Sequence, residues 1–144
     1  MNNLNAIAPT ALGQEWTTLQ NNYEQYERTT LLIKLTAIVF GAIVWSAGES
    51  IVAIALIAVL WMQEGILKTY QSRLGVRLIR IEALIKQPDA EVAPFQLHTE
   101  WLAGRPGVAR LLVEYAASAA RPTVAFPYAV LLLLVLVEQF IVLS

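Results

Sequence analysis

No cysteine occurs among the 144 residues, and histidine occurs once, at His98. These two scarcities exclude disulfides, thiolate metal centres, a cysteine nucleophile and any multi-histidine metal or bis-histidine haem site built within one chain. The scattered glycines never take the spacing of a phosphate-binding loop, and no serine stands in a recognisable pattern with His98 and Glu100. No enzyme, cofactor or metal site is therefore expected. Charge is scarce too: Asp, Glu, Lys and Arg make up 15% of the chain and the formal net charge is −1, which gives no global field for nucleic acid.

What is abundant is apolar. Hydrophobic residues make up 57% of the chain, more than a soluble domain of this length can hide. They concentrate in two blocks, 31–67 and 124–143, while the flanking and connecting stretches hold nearly all the charge. In the first block the stretch 35–63 is interrupted by charge only at Glu49, and as one helix it would reach about 44 Å against a hydrocarbon core of about 30 Å. Folding at Gly48, Glu49 and Ser50 instead gives two arms, 31–47 and 51–67, each about 26 Å long. The second block is a third span, with Pro122 and Pro127 in its first turns, where loss of an amide donor costs least. The expected fold class is all-α, an integral membrane protein with three transmembrane helices, the first two forming a tight hairpin. The expected segments are a cytoplasmic amphipathic helix (1–30), the hairpin (31–67), a basic helical connector (68–122) and the third span (123–144).

Orientation follows from basic residues, which stay on the cytoplasmic side of span ends. Lys68, Arg73, Arg77, Arg80, Lys86, Arg105, Arg110 and Arg121 all lie in the connector, and the hairpin tip has none. The N-terminus and connector are thus expected in the cytoplasm of a bacterial-type inner membrane, with the tip and C-terminus outside. The polar N-terminal stretch lacks a signal-peptide pattern, so no cleavage is expected.

Leu12, Trp16, Leu19, Tyr23 and Tyr26 recur at helical spacing, and Leu67, Tyr70, Leu74, Leu78, Ile81 and Ile85 form a matching stripe. Reflection about Glu49 predicts that the hairpin continues out of the membrane as two long facing arms of about 52 Å each. It sets Tyr23 near Leu74 and Arg77, Glu15 near Glu82 and Lys86, and Glu24 and Glu27 near Lys68, Arg73 and Arg77. Ala37, Gly41, Ala53, Ala55 and Ala58 supply small positions for close helix approach. Trp45 and Trp61 fall near the two interfaces, where an indole anchors a span.

Lys34 and Glu64 are equidistant in sequence from Glu49 and meet at one depth in an antiparallel hairpin. They form a candidate intramembrane ion pair that locks register, with a polar path or lipid-headgroup site as the functional alternative. Glu138, beside Gln139, is a candidate polar contact of the third span, or else an ion or proton site. In the connector, Pro94 is expected to open a short helix through Trp101, and a second helix runs to Ala120 with Val108, Leu111, Leu112, Tyr115 and Ala119 as its apolar face. Arg105, Arg110 and Arg121 are candidate contacts for anionic headgroups. These are contact features. The expected role is a structural or accessory subunit of a membrane complex, with membrane lipids and other subunits or a second copy as partners and no nucleic acid. The alternative is a homo-oligomeric channel or pore.

Overall fold

A computed structural model of the chain describes residues 4–86, 94–104 and 106–143. Five helices follow one another: α1 (Leu4–Ser46), α2 (Ser50–Ile85), α3 (Leu97–Ala103), α4 (Val108–Ala119) and α5 (Pro122–Leu143), with no strand among the described residues. Three of them, α1, α2 and α5, contain stretches long and apolar enough to cross a membrane. This is the character of an integral membrane protein.

The chain breaks between α1 and α2 because of Gly48. Its φ of 83° lies in the left-handed region, which a residue without Cβ adopts at little cost. The amide of Gly48 donates to the Trp45 carbonyl at 2.9 Å and that of Glu49 to the Val44 carbonyl at 3.2 Å, the paired bonds of a Schellman stop. Glu49 then accepts from Ala53 at 2.9 Å and opens α2. One glycine thus ends a helix of 43 residues and a single following residue starts one of 36. Both exceed a span, and α1 runs without interruption through residues 30 and 31.

The two helices lie side by side in opposite directions. Trp16 donates to Glu82 at 3.1 Å, and Lys34 Nζ stands 3.1 Å from Glu64 Oε1. Gly75 sits under Tyr23, whose ring edge would stand 3.4 Å from a Cβ placed there. Beyond the apolar stretches, Leu12, Leu19, Leu78 and Ile81 form a buried cluster extended by Trp16, Leu74 and Leu97. Within them, Ala37, Ile57, Tyr128 and Val135 form another, so α5 completes a three-helix core. Ala37 and Ala53 are fully buried and Gly41 abuts Ile57, whereas Ala55 and Ala58 are exposed. In lipid, such close contact replaces the hydrophobic effect as the source of helix association.

The α4 helix leans on α2 with a different face from the expected one. Leu111, Tyr115, Ser118 and Ala119 turn inward, while Val108 and Leu112 are exposed. The reason is the small seat at Gly65, where an added Cβ would stand 2.8 Å from Ala119 Cβ and 3.2 Å from the Ala119 backbone. Beside it, Thr69 Oγ donates to Ser118 Oγ at 2.8 Å. Gly65→Ala is expected to push α4 outward and cost about 1–3 kcal/mol. Faster amide exchange confined to residues 108–119, with the α1–α2 contacts unchanged, is the measurement that checks it.

The short α3 begins at Leu97 rather than Pro94, because Phe95 takes a left-handed φ of 62° that no helix continues through. Between α4 and α5 the chain bends only at Ala120 and Arg121, whose carbonyl accepts from both Val124 and Ala125 at 2.9 and 2.8 Å. Pro122 occupies the first helical position, where its missing donor is no loss.

Candidate functional site

Polar side chains join the three apolar helices at two levels. At the inner level Glu64 is 0% exposed on α2. Its Oε2 accepts from the Tyr128 hydroxyl of α5 at 2.7 Å, and its Oε1 faces the Lys34 ammonium of α1 at 3.1 Å. That second contact is one of charge. Oε1 receives no hydrogen bond of good angle, while the ammonium donates to the Thr123 carbonyl at 3.1 Å. Lys34, 24% exposed on its side chain, therefore bridges α2 and α5 from α1. Trp61 closes the level by stacking on Tyr128, with ring centroids 6.0 Å apart, and by donating to the Ala119 carbonyl at 2.9 Å.

At the outer level the end of α5 grips the turn. The Trp45 indole donates to Glu138, and Gln139 Nε2 donates to Ser50 Oγ at 2.7 Å. About 21 Å of α2 separates Ser50 from Glu64, so α5 is held to α1 and α2 near both of its ends. Both tryptophans are half-buried and hydrogen-bonded to another helix, so each joins helices in addition to any place at an interface. Position along a span indicates the depth of an indole but not its direction. Glu49, at the turn, is exposed.

A third polar group lies beyond the apolar stretches. Arg77, 2% exposed, donates through Nε and Nη2 to both oxygens of Glu15 at 2.9 and 3.1 Å, and through Nη1 to Glu100 at 2.7 Å. Burial alone would lower the basicity of this guanidinium, but the bonds and charge of Glu15, then of Glu100, outweigh it and the pKa is raised. The Phe95 amide also donates to Glu15, at 2.7 Å. One arginine thus fastens α1, α2 and α3 together.

Two expected pairings are corrected here. Glu15 meets Arg77 rather than Glu82 and Lys86, because the long guanidinium side chain reaches along the groove. Arg73 turns away from α1 to Glu114 of α4 at 3.2 Å, with Tyr70 and Trp101 flanking it. Of the acidic residues on α1, Glu27 meets Lys68 at 2.9 Å, and that hydrogen bond, opposed by partial burial, holds the carboxyl below its ordinary range. Glu24 instead accepts from Gln20 at 3.2 Å on its own helix.

Arg110 and Arg121 are exposed, Arg110 standing 3.7 Å from Glu114, and Arg105 lies outside the described residues. His98 is exposed on α3. Among the described residues no group of three His, Asp or Glu could hold a metal ion. Two surface depressions, one beside Trp16 and Lys86 and one beside Gly13 and Thr17, are shallow and remote from the two polar levels. Sequence reasoning missed Tyr128, Trp61 and Thr123 as members of the inner level. A tyrosine in the second turn of a span whose other polar residues lie at its two ends was the available signal for the first of them. No family model, curated protein or solved structure matches the chain.

Proposed function

We propose that the protein is a structural or accessory subunit of a membrane complex, acting through association rather than catalysis. One observation carries this reading. The charged side chains within the three apolar stretches, Lys34, Glu64 and Glu138, each contact another helix of the same chain, and most of the outward surface around them is apolar. Such residues are costly in lipid and mark the work a membrane protein does. Here that work is the holding of helices. A shared pore axis would call for Lys34 and Glu64 to face outward toward neighbouring copies, whereas both turn inward, so the pore is the weaker reading.

In this reading 31–47 and 51–67 form a transmembrane hairpin, 123–144 the third span, and the outlying parts of α1 and α2 stand in the cytoplasm of a bacterial-type inner membrane. The support is the distribution of basic residues, all but Arg28 and Lys34 lying in 68–121. Arg121, at the bend between α4 and α5, meets anionic headgroups in this arrangement at about 1 kcal/mol. Arg110 stands about 16 Å farther along α4, beyond the reach of its side chain to them, and neighbours Glu114 instead.

Gentle detergent extraction from native membranes, followed by mass measurement and identification of companion chains, tests the reading. A particle larger than the 15.9 kDa monomer is the expected result. A monomer without companions would overturn it, and single-channel currents from purified, reconstituted protein would turn the assignment to a pore.

A further inference from the structure

The α4 helix is apolar on the side that none of the described residues covers. Val108, Leu112 and Val113 are 76, 60 and 66% exposed, and Ala109, Ala116 and Ala120 are exposed among them. A helix with that side in water would carry polar residues there.

Lipid is the first candidate for a cover, and height argues against it. Arg73 bonded to Glu114 and Thr69 bonded to Ser118 place Leu112 and Val113 level with Leu74 and Gly75 of α2. Gly75 in turn is level with Tyr23 of α1. Around that height the outward residues of α1 are Asn21, Asn22, Glu24 and Gln25, all exposed and all polar. A bilayer wets every flank of a bundle at a given depth, whereas here one flank is polar and the other apolar. The cover belongs to one side only.

We propose that a second copy of this chain covers it, with α4 against α4 about a two-fold axis along the membrane normal. This deepens the reading of the protein as one that works by association, and rests on it. A two-fold axis in that direction brings the same face of both copies together at the same height, as an isologous contact requires. Ala109, Val113, Ala116 and Ala120 recur at spacings of four, three and four, the seam of paired parallel helices, and three of the four are small enough for close approach. Arg110 lies to one side of that seam and Val108 and Leu112 to the other. In a parallel pair opposite edges meet, so each Arg110 faces an uncharged edge rather than its twin. The contact need not end at the bend. Both α4 and α5 pack on α2, and the exposed Phe126, Val130, Leu133 and Val137 continue the same spacing along α5. They extend the contact toward the ~1,000 Å² that a stable interface needs.

The absence of cysteine makes the test clean. Val113→Cys, Ala116→Cys and, as a control on the outer face of α1, Thr18→Cys are oxidised mildly in native membranes and again in nanodiscs. Disulfide-linked dimers from the first two and none from the third are expected. Three other results overturn the inference. If the Val113→Cys thiol stays monomeric and is shielded from a water-soluble maleimide in nanodiscs, the leaflet covers α4. If that thiol in native membranes is captured only by a different chain, a heteromeric partner covers α4 and the association reading stands. If it is freely labelled on a folded monomer that also extracts without companions, both the inference and the association reading fail.

Discussion

Lys34→Met is expected to destabilise the folded protein by about 3–5 kcal/mol, because it strands a carboxylate that no solvent reaches. Glu64 is 0% exposed, and its Oε1 has only the charge of Lys34 at 3.1 Å to set against its desolvation. The Tyr128 hydroxyl serves Oε2 alone. Glu64→Gln should cost less, since the neutral amide still offers Tyr128 an acceptor, and Lys34, 24% exposed, keeps its bond to the Thr123 carbonyl while extending toward the headgroups. Adding Glu64→Gln to Lys34→Met should therefore recover most of the loss. The charge swap Lys34→Glu with Glu64→Lys should not, because a carboxylate at 34 would face the Thr123 carbonyl, acceptor against acceptor. Unfolding in mixed detergent micelles, followed by the fluorescence of Trp61 stacked on Tyr128, reads all four variants. A Lys34→Met protein as stable as the parent would show that the pair carries no such weight.

The register of α1 on α2 was legible because it needs only the position of a turn. Equal spacing from Glu49 relates Lys34 to Glu64, Tyr23 to Gly75 and Trp16 to Glu82, and a left-handed Gly48 makes the turn short enough for that symmetry to hold. The choice of ionic partner was not legible. Arg73 leaves α1 for Glu114 of α4, and Arg77 divides its donors between Glu15 of α1 and Glu100 of α3; Glu114 and Glu100 arrive from well downstream. Hydropathy assigns those helices a boundary but no place in space. The same limit explains α4: its apolar residues occupy more than one face, and only the methyl-sized seat at Gly65 decides which face turns inward. The inner polar level was half visible, through two charged residues at matched depth. Tyr128 and Trp61 were harder to place, since an aromatic residue in a span reads equally as core, lipid contact or interface.

Arg77→Met is expected to have an effect of similar size to Lys34→Met and a different reach. Glu15, 4% exposed, would keep only the Phe95 amide as donor, which again leaves a buried carboxylate without its counter-charge at about 3–5 kcal/mol. Glu100 would retain Arg80 at 3.1 Å, an exposed contact worth about 0–1 kcal/mol. With that weak tie, α3 is held against α2 and α1 chiefly by Leu97 in the apolar cluster and by Trp101 against Arg73. Residues 94–104 should therefore exchange their amide hydrogens much faster. The left-handed Phe95, whose conformation costs about 1–3 kcal/mol and is held by Glu15, should relax at the same time. Arg77→Lys should rescue little, because an ammonium cannot reproduce the planar fork that serves two carboxylates at once. The membrane-side contacts of Tyr128, Trp61 and Lys34 share no partner with this group, so combining Arg77→Met with Lys34→Met should give nearly the sum of the two losses. Unchanged exchange in 94–104 would mean that the arginine is not what fastens α3. A strongly non-additive double variant would mean that the outlying parts of α1 and α2 and the apolar three-helix core respond as one cooperative unit, despite having no polar contact in common.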